Sequence, residues 1–170
     1  HDPAVVLYTS GTTGDPKGAT LTHASILASA VATAEHLHLT ADDVAIGHMP
    51  LNHVGGMTCT VGATMAAGGK VALLPRYSPR TALEAIDRRK VTIFIGVPTM
   101  YTMMMDLPEF PAADTSSVRT CVTGGSNVEP ALGRRILDTF NGARMANLYG
   151  LSETSGACII SAPDDDLETL

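Results

Sequence analysis

The stretch Tyr8–Gly18, YTSGTTGDPKG, decides how the rest of the chain is interpreted. Its hydroxyl groups come from Thr9, Ser10, Thr12 and Thr13, its glycines are Gly11, Gly14 and Gly18, and its single cation is Lys17. Glycines let backbone N–H groups approach an anion closely, and hydroxyl and ammonium groups add further donors. An apolar run, Ala4–Thr9, precedes the loop and Ala19–Leu21 follows it. We therefore predict a β-hairpin whose connecting loop binds a polyphosphate.

The nearest standard pattern is the Walker loop, G-x-x-x-x-G-K-[ST], which opens a helix. It does not fit, because Lys17 lies between Pro16 and Gly18 and the following residues favour a strand. A hairpin turn without a ligand is the alternative interpretation. The four hydroxyl groups beside a lysine favour the phosphate loop over that alternative.

Beyond this loop, short apolar strands alternate with helical patterns. The predicted strands are Val44–Ile46, Val71–Leu74, Val91–Ile95, Val118–Thr123, Met145–Leu148 and Ala157–Ile160, and the predicted helices span about 22–38, 53–67, 78–90, 99–107 and 126–140. This alternation predicts an α/β fold with a mostly parallel sheet flanked by helices. Ligands of such sheets bind beyond the carboxyl ends of the strands.

Three of these helices have a hydroxyl residue at their predicted start, at Thr22, Ser78 and Ser126. Such residues cap helices by accepting a hydrogen bond from a free backbone N–H group, and Ser126 has capping-box spacing. In the first helix, apolar residues recur at helical spacing at Leu27, Val31 and Ala34, and the face is widened by Ile26, Ala30 and Leu37. We predict that they lie on its buried face.

A second polar segment, Asn147–Thr154, NLYGLSET, follows a predicted strand. It supplies an amide, an aromatic ring, a hydroxyl group and a carboxylate within one short stretch. A ring can stack on a base, an amide can bond an adenine edge, and a carboxylate beside phosphates needs a cation, usually Mg²⁺. Considered alone, the segment could equally be a glycine turn with a surface glutamate.

Together the two segments resemble the phosphate loop and the Y-G-x-[ST]-E motif of the AMP-forming adenylating enzymes. This superfamily contains acyl-CoA synthetases, luciferases and peptide-synthetase adenylation domains. The resemblance implies that the loop holds the β- and γ-phosphates of ATP through Thr9, Ser10, Gly11, Thr12, Thr13, Gly14 and Lys17. The resemblance covers essentially the whole chain.

When the roles of the family motif are assigned to this sequence by position, the second segment would complete the ATP site. The resemblance implies that Tyr149 stacks on adenine, Asn147 bonds its amino group and Ser152 contacts the α-phosphate. Glu153 would hold Mg²⁺ together with Thr9. The implied ATP-binding residues here are Asn147, Tyr149, Gly150, Ser152 and Glu153. Ser152 stands where threonine is commoner, which keeps the hydroxyl group.

Two further segments resemble parts of the same family. Gly124-Gly125-Ser126 resembles the small-residue segment between the adenine and acyl pockets, although an ordinary strand-to-helix turn is the alternative. Met49–Gly56 resembles the acyl-pocket segment, in which His53 would lie near the carboxylate substrate, beside Gly125. A capping or core histidine is the alternative. Amino-acid-adenylating relatives carry a Phe-Asp pair here, so its absence favours an acid without an α-amino group.

The resemblance implies a two-step reaction with Lys17, Glu153 and His53 as catalytic residues. A carboxylic acid, fatty or aryl, and ATP would give acyl-AMP and pyrophosphate, and coenzyme A would then displace AMP. Residues 1–170 match only the middle of the family's large domain, so we expect a single fragment that lacks the small C-terminal domain and has little turnover alone. A nucleotide-binding module without turnover, or a peptide-synthetase adenylation domain, remains an alternative.

Composition excludes several other classes. Eleven Lys and Arg against 17 Asp and Glu give a net charge of −6, which disfavours a nucleic-acid partner. We also predict no transmembrane segment, because the longest apolar stretch is too short to span a bilayer. The three cysteines lack C-x-x-C spacing, which predicts buried free thiols and a reducing, cytoplasmic location.

Overall fold

A computed structural model describes residues 2–10, 14–162 and 165–166. The chain begins with a hairpin of two antiparallel strands, β1 (Pro3–Thr9) and β2 (Lys17–Thr22). Thr9 pairs with Lys17 at the end of the hairpin that carries the predicted phosphate loop. The predicted hairpin is therefore confirmed, whereas Gly11, Thr12 and Thr13 lie outside the described residues.

A six-stranded sheet forms the centre of the molecule. Its strands are β3 (Val44–Gly47), β4 (Lys70–Leu73), β5 (Ile93–Gly96), β6 (Thr120–Gly124), β7 (Arg144–Leu151) and β8 (Gly156–Ile160). They lie in the order β4-β3-β5-β6-β7-β8, so that β4 and β8 form the edges. All neighbours pair in parallel except β7 and β8, which are antiparallel. The predicted α/β fold with a mostly parallel sheet is confirmed.

Helices cover both faces of this sheet. They are α1 (His23–His36), a π-helix (Gly55–Gly62) that continues into α2 (Ala63–Ala66), α3 (Pro79–Arg89), α4 (Pro98–Met105) and α5 (Pro130–Thr139), with 3-10 turns at Phe110–Ala112 and Ser152–Thr154. Buried residues of α3, α4 and α5 pack on one face against strand residues such as Phe94 and Cys121. On the other face, Leu37 packs against Ile93 and Val122. Alternate strand residues thus fill two cores, which explains why the central strands are mainly apolar on both faces.

Two of the three predicted helix caps are confirmed. The Thr22 side chain accepts a hydrogen bond from the backbone of Ser25, and Ser78 does the same with Thr81. The predicted cap at Ser126 is wrong, because α5 begins only at Pro130. Proline has no backbone N–H group and fits the first turn of a helix, so the start is set by Pro130 without a side-chain cap.

The predicted buried face of α1 is correct only in part. Ala30, Ala34 and Leu37 are buried as predicted, whereas Leu27 and Val31 are 61% and 37% exposed. The buried face of α1 lies against the π-helix, where Ala30 is close to Gly62. Small residues allow two helices to approach closely, so the large side chains of α1 point away from this contact.

The helix that was predicted over 53–67 is mainly a π-helix. The Thr60 hydroxyl donates to the carbonyl of Gly55, five residues earlier, at 2.8 Å, which matches the wider spacing of this helix type. The Thr64 hydroxyl donates to the Thr60 carbonyl at 2.7 Å. Hydrophobic periodicity predicts the position of this helix but not its width, because hydroxyl-to-backbone bonds leave no apolar pattern.

The cysteines match their prediction in part. Cys59 and Cys121 are buried free thiols, and burial raises the pKa of Cys59 to about 11. Cys158 is free but exposed, because it lies on the edge strand β8. Among residues 2–10, 14–162 and 165–166, no helix combines the length and the apolar character that crossing a bilayer requires.

An ion pair ties the amino ends of three neighbouring strands together. Asp43, just before β3, accepts hydrogen bonds from Arg119 Nε and from the Thr92 hydroxyl, both at 2.7 Å. Thr92 precedes β5 and Arg119 precedes β6. Burial raises the pKa of Asp43, but hydrogen bonds from Arg119, Thr92 and Thr40 outweigh burial and lower the pKa to about 2. The carboxylate is therefore charged at neutral pH and holds these strand ends in register.

We expect Asp43→Asn to destabilise the chain by about 2 kcal/mol at neutral pH, since it removes the charge that Arg119 faces. The side chain of Arg119 is 39% exposed, so water can solvate part of its charge in the variant. The loss of unfolding free energy therefore stays below that expected for a fully buried ion pair. The folded-state pKa lies below the usual 3.8, so the stabilisation is complete above that value and is lost as pH falls towards about 2. Urea denaturation of the variant and the unmodified chain across this pH range measures the difference in their free energies of unfolding.

Asp42→Asn is the matched control, because Asp42 is the exposed neighbour of Asp43. This variant should unfold at the same urea concentration as the unmodified chain. The difference in unfolding free energy between the unmodified chain and Asp43→Asn should become smaller as the pH falls and Asp43 becomes protonated. A difference that stayed constant from neutral to strongly acidic pH would show that the carboxylate charge is not its cause.

Candidate functional site

The two polar segments that the sequence singles out are brought together by the fold. The turn Ser152–Thr154, called here the Glu153 turn, lies against β2 of the hairpin. Ser155, the next residue, donates a hydrogen bond to the Ser25 hydroxyl of α1 at 2.9 Å, across a sequence separation of 130 residues. The hairpin and the end of β7 therefore form one continuous region of the surface.

On the hairpin side, this region presents Thr9, Ser10 and Lys17. Thr9 is half-buried, and its hydroxyl donates to the Lys17 carbonyl at 3.4 Å, a long bond across the end of the hairpin. Ser10 and Lys17 are exposed. Within the part of the chain that is described, the Lys17 ammonium group makes no ion pair. Its charge is available to an anion at the mouth of the loop, which also includes exposed Gly14.

On the sheet side, β7 continues to Leu151, further than the predicted end at Leu148. The Thr154 hydroxyl accepts from the Leu151 N–H group at 3.1 Å and lies 2.8 Å from the Gly156 carbonyl, so it holds the Glu153 turn closed. Glu153 is exposed, and its carboxylate has no hydrogen-bond or ion-pair partner among the described residues. Ser152, beside it, is half-buried. The turn thus presents a carboxylate and a hydroxyl group next to the hairpin.

Gly125 directly follows β6, and Tyr149 lies beside it in β7. The last pair of the β6–β7 ladder joins Gly124 to Leu148, one residue before each of them, and β7 continues along β8. Tyr149 is 57% exposed, and Asn147, two residues earlier, projects from the same face of β7 and is half-buried. An exposed ring beside a glycine backbone offers a flat surface on which a purine base can stack. Ser126, next to Gly125, is exposed.

Two of the predicted ATP-binding glycines have a structural explanation in the sheet itself. A Cβ atom on Gly124 would lie 2.6 Å from the Leu148 carbonyl oxygen, and one on Gly150 would lie 2.2 Å from that of Gly156. Both positions exclude a larger side chain because neighbouring strands approach too closely. The presence of glycine at 124 and 150 therefore does not by itself indicate a ligand.

His53 lies between β3 and the π-helix, with an exposed side chain. The Gly55 N–H group donates to His53 Nδ1 at 3.0 Å. Because an amide nitrogen can only donate, Nδ1 carries no proton in this bond, and the neutral ring has its proton on Nε2. The π-helix that follows contacts β8, so His53 belongs to the same end of the sheet as the Glu153 turn. The ring offers an exposed N–H donor to an oxygen.

Sequence reasoning missed a second histidine at this end of β3. His48 is 5% exposed and packs between the rings of Phe94 and Tyr77. Burial lowers its pKa to about 4, so the ring is neutral at physiological pH. It borders a cavity of about 650 Å³ between the ends of β3, β4 and the start of α4. Only its place beside a strand end distinguishes it in the sequence.

The fold and the proximity of the two polar segments can now be compared with known protein families. The chain matches the model of the AMP-binding enzyme family over residues 1–170 and belongs to that family. It is 36% identical to a long-chain-fatty-acid–CoA ligase of Bacillus subtilis (strain 168), with 91% of this chain aligned to 28% of that protein. It is also 36% identical to a feruloyl-CoA synthase of Amycolatopsis sp, with 94% aligned to 32%.

Solved structures show the same fold. ATP-bound MatB from Rhodopseudomonas palustris superposes with a TM-score of 0.85 at 30% identity, over 97% of this chain and 32% of that one. The predicted membership of the AMP-forming adenylating enzymes is confirmed, and so is the fold class. The chain spans about a third or less of the length of these relatives.

Proposed function

We propose that the parent protein of this chain activates a carboxylic acid with ATP and transfers the acyl group to coenzyme A. The carboxylate attacks the α-phosphorus of ATP and releases pyrophosphate, which leaves acyl-AMP. The thiol of coenzyme A then attacks the acyl carbon, loses its proton and displaces AMP. The observation that carries this proposal is the contact between β2 and the Glu153 turn, because β2 follows the first family motif and the turn belongs to the second.

In this proposal, the hairpin neutralises and aligns the leaving pyrophosphate. Phosphoryl chemistry demands charge stabilisation and alignment more than covalent participation by the protein. Lys17, Ser10 and the backbone N–H groups of the loop would bind the β- and γ-phosphates. Gly11, Thr12, Thr13 and Gly14 complete the proposed loop. The unpaired charge of Lys17 among the described residues supports its assignment.

The residues present fit a magnesium ion bound with the nucleotide. Mg²⁺ is usually held by one or two carboxylates together with substrate phosphates. Glu153 supplies an exposed carboxylate, and Thr9 supplies a hydroxyl oxygen. No cluster of three or more His, Cys, Asp or Glu side chains occurs in the described part of the chain, so most ligands would come from ATP and water. When bound, the ion supplies positive charge against the phosphates.

The adenosine part of ATP would lie against Tyr149 and the backbone of Gly125. Tyr149 would stack on adenine, Asn147 would bond its amino group, and Ser152 would contact the α-phosphate. Gly124, Ser126 and Gly150 would form the walls, in addition to their role in the sheet. The 57% exposure of the Tyr149 ring supports this assignment, because a large exposed ring is available for stacking.

The acid is proposed to be a fatty or an aryl acid. The two curated relatives described above are a long-chain-fatty-acid–CoA ligase and a feruloyl-CoA synthase, which represent both kinds. His53 would donate its Nε2–H to the substrate carboxylate, near Gly125. No acidic residue occupies position 53, so nothing there would pair with a substrate ammonium group. This favours a carboxylic acid over an α-amino acid.

The proposal places this chain within the large domain of a longer enzyme. Residues 1–170 form a single part of that domain, and a small C-terminal domain would lie elsewhere in the parent. We propose that the chain by itself has little or no turnover. The free thiols support a cytoplasmic location for the parent.

Pyrophosphate release by the full-length parent tests this function. The enzyme is assayed with ATP and Mg²⁺ on a panel of fatty acids of increasing length, aryl acids and amino acids, with and without coenzyme A. We expect release with fatty or aryl acids and formation of the corresponding thioester. Release with amino acids alone would favour a peptide-synthetase adenylation domain. ATP binding without release on any acid would favour a module that binds nucleotide without turnover.

Lys17→Ala is expected to raise the KM for ATP of the parent about tenfold to a hundredfold. The variant removes one charge-assisted hydrogen bond, which contributes about 1.5–3 kcal/mol. Steady-state kinetics at saturating acid measure the change. Lys70→Ala is the control, since Lys70 is an exposed lysine at the amino end of β4. An ATP dependence unchanged by Lys17→Ala would exclude the loop as the phosphate site.

Glu153→Gln is expected to raise the Mg²⁺ concentration needed for half-maximal activity, because an amide oxygen lacks the charge that a divalent ion prefers. Titration of Mg²⁺ at fixed ATP measures the shift. Glu84→Gln, on the exposed surface of α3, is the matched control. Equal Mg²⁺ requirements in Glu153→Gln and the unmodified parent would show that another group holds the metal.

A further inference from the structure

We propose that Ser155 and Ser25 form a hydroxyl bridge that positions Glu153 relative to the phosphate-binding hairpin. The proposal rests on the function proposed above and assigns two positioning residues to that site. Neither residue is expected to touch ATP. Ser155 follows the Glu153 turn, and Ser25 lies in the first turn of α1, directly after β2. Their bond joins the two segments that would bind the nucleotide.

The direction of each hydrogen bond follows from the number of protons. The Ser25 hydroxyl donates its single proton to the Thr22 carbonyl at 3.0 Å. Its oxygen accepts from the Thr22 N–H group at 3.0 Å and from the Thr22 hydroxyl at 3.2 Å. Because the Ser25 proton is already used, Ser155 is the donor in the 2.9 Å bond to Ser25. Ser155 therefore adds a third donor to an oxygen that Thr22 already holds in place.

The surroundings of Ser155 fix the bridge in one geometry. The residue is 2% exposed, so water has little access to its hydroxyl group. Its φ angle of 63° is in the left-handed region, which a residue with a Cβ atom adopts only when the structure around it requires it. Thr154, the preceding residue, bonds the backbone on both sides of the turn. The Ser155 hydroxyl is thus directed at α1 by the turn that carries Glu153.

A second capping box in the same chain shows what the bridge adds. Ser78 and Thr81 at the start of α3 repeat the arrangement of Thr22 and Ser25, with each side chain bonded to the backbone of the other residue. Thr81 bonds only to Ser78 among the described residues, whereas Ser25 has Ser155 as a further partner. Helix capping alone therefore does not require the third hydroxyl group.

The bridge can act on the site because β2 connects it to the loop. Thr22 is the last residue of β2 and Lys17 is the first, and β2 pairs with β1 up to Thr9. A strand in a paired hairpin transmits a displacement along its length better than an irregular loop does. Anchoring Thr22 to the Glu153 turn through Ser25 therefore sets where Thr9 and Lys17 lie relative to Glu153. Without the bridge, the distance between Lys17 and Glu153 should vary more, and MgATP should bind more weakly.

The test uses Ser155→Ala, Ser25→Ala and the double variant in the full-length parent. Each single variant should raise the KM for MgATP about three- to tenfold, as expected for one net hydrogen bond, with a smaller effect on the KM for the acid. The double variant should be no worse than Ser25→Ala, because both changes break the same bridge. Ser25→Thr retains the hydroxyl group, as in Thr81 of the second box, and should restore the KM.

Thr81→Ala is the matched control, since Thr81 holds the position in the second capping box that Ser25 holds in the first, far from the proposed site. Thr81→Ala and Ser25→Ala should lower thermal stability by similar amounts, but only Ser25→Ala should change the KM for MgATP. A KM that stays constant in Ser155→Ala, with or without a fall in stability, would overturn the positioning role. An equal rise in KM for Thr81→Ala would overturn it as well.

Failure of this inference is distinct from failure of the proposed function. If the unmodified parent releases no pyrophosphate with any acid, the function is wrong, and the bridge is then tested by calorimetric titration with MgATP. Weaker MgATP binding in Ser155→Ala than in the unmodified parent supports the bridge. Equal affinities, or no binding of MgATP by either protein, overturn it.

Discussion

Burial of the parallel strands on both faces is the constraint on which the rest of this structure depends. Residues such as Phe94 and Ile93 alternate between two separate cores, so the central strands are mainly apolar along their length. The charged groups that the structure shows at this sheet lie at the strand ends. At the amino ends, Asp43 and Arg119 hold three strands in register. The carboxyl ends are left free for the loops that form the candidate site, as is usual for sheets of this kind.

The candidate site differs from its sheet in how it is held together. The sheet is stabilised by extensive apolar packing and by regular backbone hydrogen bonds between its strands. The hairpin is held by a smaller apolar cluster, in which its residues Leu7 and Leu21 pack with Val54. Hydroxyl groups then connect the hairpin to the end of β7 through Ser25 and Ser155. Such bonds are directional and individually weak.

Much of the fold was predictable because its determinants are local. The alternation of strands and helices, the hairpin and the cap at Thr22 all follow from patterns within a few residues. The errors come from features that hydrophobic periodicity does not record. Leu27 and Val31 point outwards because the packed face of α1 is made of small residues, and the π-helix depends on hydroxyl-to-backbone bonds that periodicity does not register. The bridge from Ser155 to Ser25 was out of reach, since nothing local relates two serines so far apart in sequence.

The edge strand β4 has a consequence for any use of this chain by itself. β4 pairs with β3 on one side, and its other side has no strand partner among the described residues. Leu73, in this strand, is 63% exposed. An unpaired apolar edge offers free backbone donors and acceptors to another polypeptide, and natural proteins usually cover or charge such edges. We therefore expect β4 to be the site of any self-association of the chain expressed in isolation, and a second charge besides Lys70, or a proline, on that edge is the rational remedy for preparing it in soluble form.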